Sequence, residues 1–332
     1  MHYWEVWHGN KPFSEYRKYF FRYASEFGFQ SFPSVKTLET VTDDPKELNP
    51  FSYVMEKHQR NYGGNGKIAK YMQAAYRYPE NFSDFVYASQ LLQADGIRYG
   101  VEHYRRNRGR CMGAIYWQLN DCWPVISWSS IDYYGRWKAL HYYAKRFFAP
   151  VMLSCEEQSW MTVEADMNRQ HFEFEKSIRL NVTNETLDAH RVLVKWAVRK
   201  TDATILREEE QWLEVPALSA VWMDKVELPQ IDCFNEYVSY EAWENDQIIS
   251  QGTVIFSYPK YFHYLNPGLA VRVDGDEIVV KAEAYAKSVE IRNENDDLIL
   301  EDNYFDMNAG EYRVKILDGK PDGLKVRSVY DI

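Results

Sequence analysis

The stretch SDFVYASQLLQADGIRYGVEHYRRNRGRCMGAIYWQL, residues 83–119, decides how the first part of the chain folds. Ser83 offers an N-cap and Asp84 a first-turn acid, and Tyr87, Leu91, Ala94, Ile97, Val101 and Tyr104 recur at spacings of three and four. Those spacings line one face of an amphipathic helix. The basic run Arg105–Arg110 suits the negative end of the helix dipole, and Gly109 accepts the backbone turn that closes a helix. Cys111–Leu119 is then a continuous apolar run, the pattern of a strand buried on both faces of a parallel sheet. Helix followed by buried strand is half of a βαβ repeat.

Upstream, SEYRKYFFRYASEFG, residues 14–28, gives the same order in miniature: a helix opening near Ser14, then a strand leading to Glu26. Helical candidates also lie at 50–60 and 67–78, separated by the loop NYGGNG. After Pro150 the texture changes to alternation with period two. SIRLNVTN places Ile178, Leu180 and Val182 on one face, and RVLVKWAVRK does the same with Val192, Val194, Trp196 and Val198. Further strands are expected at 160–167, 208–215, 221–228, 236–243 and 248–256, about the seven of an immunoglobulin-like sandwich. A second all-β unit opens with the hairpin LAVRVDGDEIVVKAEA, turning at Asp274-Gly275.

Composition narrows the function. The 332 residues carry a net charge of −10, which disfavours a nucleic-acid surface because phosphate binding needs a basic stripe. No apolar run reaches the roughly 18 residues of a membrane span, and the first residues lack a signal-peptide layout. The four cysteines have no metal-ligand spacing, which points to free thiols in a reducing, cytoplasmic compartment. Aromatics make up 16% of residues and crowd the first half, a density that suits sugar-binding clefts and large cores alike.

Two places could carry chemistry. Glu26 ends a strand and precedes Gly28, the position where α/β sheets build their sites; satisfaction by Arg22 or by loop N–H groups is the alternative. Trp117, Asn120, Asp121 and Trp123 follow the second strand, and polar groups among aromatics make either a ligand pocket or a tryptophan-rich core. His2, Trp4 and Trp7 repeat the theme, while His58 and Gln59 read as a solvated helix end.

HYWEVWHGNKPF (2–13), SEFGFQSFPS (25–34), MEKHQRN with GNGKI (55–68) and GAIYWQLNDCWPVISWSSIDYYGRWKALHYYAKRFFAP (113–150) together resemble the C-terminal half of a β-mannosidase of glycoside hydrolase family 2. DNYFDMNAGEYRV (302–314) is similar to that family's terminal sandwich. The resemblance implies a multi-domain α/β plus all-β chain: residues 1–150 as the C-terminal part of a (β/α)8 TIM barrel, then immunoglobulin-like β-sandwiches at 151–258 and 259–332. It further implies a retaining exo-glycosidase with Glu26 as nucleophile. Trp117 would wall the terminal-mannose subsite, continued by Asn120, Asp121 and Trp123, and His2, Trp4 and Trp7 would border the pocket.

The expected partner is a β-mannoside or manno-oligosaccharide, with no cofactor or metal, because two carboxylates suffice for the reaction. The family's acid/base glutamate sits in a Gly-Asn-Asn-Glu motif that this sequence does not contain. The expectation is therefore a fragment carrying the nucleophile alone and inactive by itself. The alternatives are another family 2 exo-glycosidase, acting on β-galactoside, glucuronide or glucosaminide, and a non-catalytic carbohydrate-binding remnant.

Overall fold

The computed structural model describes residues 1–163 and 173–332. Most regular structure is β, with few helices. In the N-terminal region, strand Ala24–Phe27 pairs in parallel with strand Ala114–Tyr116. Helix Phe82–Arg106 packs across them, and Gly100 lets it approach: a Cβ there would lie 2.9 Å from the Phe27 ring.

Several local expectations shift. The long helix is capped by Asn81, whose side chain accepts from the Asp84 N–H at 3.0 Å; Ser83 instead accepts from Arg327 at 3.1 Å. The helix near Ser14 is a short 3-10 turn, Phe13–Lys18. The run at 111–119 is not buried on both faces. Its strand is three residues long, and Met112, Ile115 and Leu119 are about half exposed, because the long helix covers one side only. The basic cluster does more than face the dipole. Arg105 and Arg106 are buried and donate to the carbonyls of Phe147 and Cys155, so the helix end is tied to its own region by Arg105 and to the next unit by Arg106.

From residue 151 the chain builds a sandwich. Strands Val151–Gln158, Ser177–Asn184 and Ser219–Trp222 form one sheet, with Val226–Glu227 at its edge. Gln247–Ile255, Glu236–Glu244, His190–Lys200 and Ile205–Val215 form the other. The alternating residues Ile178, Leu180, Val182, Val192, Val194, Trp196 and Val198 all enter the core between them. Strand 151–158 was not expected. The strand expected at 160–167 is a 3-10 turn at Trp160–Thr162, and its residues 164–167 lie outside the described residues. The expected strand at 221–228 is split in two.

A second, smaller sandwich follows, with sheets Ala270–Asp274/Glu277–Ala282/Gly310–Asp318/Ile299–Leu300 and Phe305–Met307/Ala286–Arg292/Lys325–Arg327. Its opening hairpin turns on Gly275, at φ +67°, and Asp276, between the paired Asp274 and Glu277. Its buried residues merge with those of the N-terminal region into one apolar cluster. Among the described residues, no helix is long and apolar enough to cross a membrane.

Candidate active site

Strand 24–27 buries its end residues Ala24 and Phe27, across a register shift, and leaves Ser25 and Glu26 only partly covered. The Glu26 side chain is 23% exposed at the strand's carboxyl end. Each of its oxygens meets one nitrogen: the Trp4 indole N–H donates to Oε1 at 2.8 Å, and His2 Nδ1 lies 3.2 Å from Oε2. The backbone reinforces this, since the Tyr3 N–H donates to the Glu26 carbonyl at 2.8 Å. Its partners are thus Trp4 and His2 rather than Arg22. A carboxylate bonded by an indole N–H on one oxygen and approached by an imidazole on the other is oriented while staying open to a reacting centre.

Gly28 forms the floor beside it, where a Cβ would lie 2.6 Å from the Trp117 carbonyl oxygen. The Trp117 N–H donates to Phe27 O at 2.7 Å, so the parallel pairing carries Trp117 to the same end of the sheet, where its side chain is 44% exposed. The Trp117–Gln118 peptide is cis. Trp128 packs edge-on against both Trp4, at 6.0 Å, and Trp7, at 6.1 Å.

The other predicted residues divide. Trp7 is fully buried on Phe29 and Trp128, so it supports the wall from behind and does not border an opening, as had been expected of it. Asp121 is turned inward at 8% exposure and accepts from Ser127 Oγ at 2.6 Å and Ser129 Oγ at 2.5 Å, which clamps the loop after Trp117. Asn120 is exposed, and Trp123 is partly exposed against the His58 ring, 5.1 Å away. His58 and Gln59 are not a solvated end. His58 donates from Nδ1 to Pro124 O at 2.6 Å, and the Ile126 N–H donates to His58 O, so this segment staples the Trp123 loop.

Sequence reasoning gave no role to Trp128 or Lys138. Lys138 is buried near Asp121 and Asp132, and burial pushes its ammonium down to about 8 despite the pull of those carboxylates. Its signal was a lysine set directly between Trp137 and the apolar Ala139-Leu140. Among the described residues, no group of three or more His, Cys, Asp or Glu side chains could hold a metal.

The chain as a whole is similar to known proteins. Residues 176–261 match the Mannosidase Ig/CBM-like domain, and 264–332 match an Ig-fold domain of mannosidases. Beta-mannosidase B of Thermothelomyces thermophilus is 30% identical over 99% of the chain, which covers 41% of that protein. The beta-mannosidase of Capra hircus is 39% identical over 40% of the chain and 16% of its own length. The crystal structure of the beta-D-mannosidase from Dictyoglomus thermophilum superposes with a TM-score of 0.84 at 27% identity, covering 98% of this chain and 40% of that one. Of these, the proteins matched over nearly the whole chain are β-mannosidases, and the chain is similar to them in sequence, in its Ig-like domains and in fold. It spans about two fifths of the length of the curated relatives that it matches most fully.

Proposed function

We propose that the chain is the nucleophile-bearing part of a retaining exo-β-mannosidase, which removes non-reducing terminal β-mannose from β-mannosides and manno-oligosaccharides. The observation that carries this reading is Glu26, at a strand's carboxyl end, held by Trp4 and His2 and floored by Gly28 beside the exposed Trp117. In the proposed reaction Glu26 attacks the anomeric carbon and forms a glycosyl ester, while a second carboxyl about 5–5.5 Å away protonates the leaving oxygen. Water, activated by that second carboxyl, then releases mannose. Trp117 presents its ring to the sugar's apolar face; Asn120 and Trp123 extend the binding surface, and Asp121 shapes it by holding the loop.

Residues 1–150 are read as the closing part of a (β/α)8 barrel, supported by one parallel strand pair with its covering helix. Residues 151–258 and 259–332 are read as the two sandwich domains. The Gly-Asn-Asn-Glu motif has no counterpart in this sequence, so the 332-residue chain alone is proposed to be inactive. Two assays test this. The chain should release no nitrophenol from 4-nitrophenyl β-D-mannoside, and turnover that vanishes in Glu26→Ala would overturn the claim. The longest in-frame product encoded upstream and through this chain should prefer the β-mannoside over the galactoside, glucuronide and glucosaminide. Preference for one of those would install the alternative family 2 activity.

A further inference from the structure

Where the N-terminal region meets both sandwiches there is a cavity of about 380 Å³, within the range of about 300–1,000 Å³ typical of small-molecule sites. Helix 82–106 contributes Asp95, Arg98 and Glu102; the first sandwich contributes Tyr240, Gln251 and Thr253; the second contributes Lys287, Asp306 and Tyr312. Acidic and basic side chains line it in equal number, five of each. An ion of either sign therefore gains no net attraction there, whereas a neutral ligand rich in hydroxyl groups can use both donors and acceptors.

Some lining groups are closed, since Arg146 pairs tightly with Asp302 and Asp306 already accepts from Thr253 Oγ1 and, at 2.8 Å, from the Ser288 N–H, whereas others are loosely held. Arg98 reaches Asp95 at 3.3 Å and Glu102 at 3.5 Å, Lys287 reaches Asp306 at 3.3 Å, and the Tyr312 hydroxyl reaches Asp302 at 3.3 Å. All four lie just beyond the ordinary ranges of about 2.7–3.2 Å for N–H···O and about 2.5–3.0 Å for O–H···O. The Arg17–Glu157 pair, by comparison, closes to 2.6 Å. Tyrosine rings also line it, each with one face taken: Tyr312 stacks on Phe305 at 4.1 Å, and Tyr143 carries Arg146 over its ring at 4.5 Å. Gly252 is part of the design, because a Cβ there would lie 2.5 Å from the Tyr240 hydroxyl.

We infer that this three-way junction is a second carbohydrate site, separate from Glu26, that takes a neutral mono- or disaccharide. Asp95 accepts from vicinal hydroxyls, Arg98, Lys287 and Gln251 donate to ring and hydroxyl oxygens, and tyrosine ring surface not taken by Phe305 or Arg146 meets the sugar's C–H groups. The site does not need Glu26 to be a nucleophile; only the choice of mannose as the probe rests on the proposed function.

The test is titration of the full chain, methyl-labelled at methionine, with D-mannose and mannobiose, followed by NMR and calorimetry. Met152 lines the cavity, and Met112 lies at the exposed sheet edge, so the two methyls report location. The Met152 signal should shift saturably with a Kd of about 1 mM while Met112 stays put. Asp95→Ala and Gln251→Ala should each weaken binding by about tenfold, and Glu26→Gln should leave it unchanged. Gln251→Ala breaks no ion pair, so its fold should survive even if Asp95→Ala loses stability. Absence of a saturable Met152 shift would overturn the site. So would binding that both cavity variants retain, or binding that Glu26→Gln abolishes. None of these results depends on nitrophenyl mannoside turnover, which judges the Glu26 reading separately.

Discussion

At Gly28 an added Cβ would lie 2.6 Å from the Trp117 carbonyl oxygen and 3.0 Å from both the Trp128 and Trp4 rings. None of these can retreat, since Trp117 is held by the strand pairing and Trp4 by Glu26. Gly28→Ala should therefore cost about 1–3 kcal/mol in urea unfolding, as overpacking does, and should alter tryptophan fluorescence. Another residue-scale prediction concerns His103. Burial, reinforced by Arg106, pushes its imidazole down to about 4, although donation to the Tyr19 carbonyl at 2.9 Å pulls partly the other way. The unfolded chain takes up this proton near 6.5 and the native state only near 4, so stability falls as pH drops through that window. The loss amounts to about 3 kcal/mol. Melting curves of His103→Gln between those pH values should show a flatter slope than those of the parent chain.

At the scale of elements, Gly96 and Gly100 sit one turn apart on the long helix, and a Cβ at each would crowd Phe13 and Phe27 respectively. Helix propensity alone makes Gly→Ala favourable by about 1 kcal/mol. At Gly100 the contact with Phe27 should win, so Gly100→Ala should lower the denaturation midpoint, whereas a surface glycine would raise it. Legibility in the sequence followed covering. Strands 177–184 and 190–200 alternate in sequence because Ile178, Leu180 and Val182, and Val192, Val194, Trp196 and Val198, look into the sandwich core while mostly polar residues take the other face. In strand 151–158 Val151, Leu153 and Cys155 enter the sandwich core, but Met152 joins the N-terminal apolar cluster and Glu157 faces Arg17, so the sequence shows no clean alternation and the strand escaped notice. The site shows the same division. Glu26 was readable from a strand followed by glycine, but its contact with Trp4 spans 22 residues and rests on chain geometry that no local pattern encodes.

At the scale of the molecule, Arg17 and Glu157 join the N-terminal region to the first sandwich at 2.6 Å, and the Tyr99 hydroxyl also donates to Glu157. Burial by itself would raise the Glu157 carboxyl, but Arg17 and these hydrogen bonds more than offset it and hold it below the usual range. The pair's contribution is thus present above about pH 4.5 and lost as pH falls through the native value. Arg17→Ala should cost about 3–5 kcal/mol by stranding a buried carboxylate. It should also invert the acid limb: mild acidification, which protonates the stranded group, should partly restore the variant's melting temperature.

The long helix ties these parts together. Over its 25 residues, roughly 37 Å, it bonds near its start through Asp84 to Arg327, at mid-length through Tyr99 to Glu157, and at its end through Arg105 to Phe147. One rod thus serves as a shared keel for all three units, and none can melt without stripping contacts from the same helix. Scanning calorimetry should accordingly record one endotherm whose van't Hoff and calorimetric enthalpies agree, rather than a staircase of separate domain transitions.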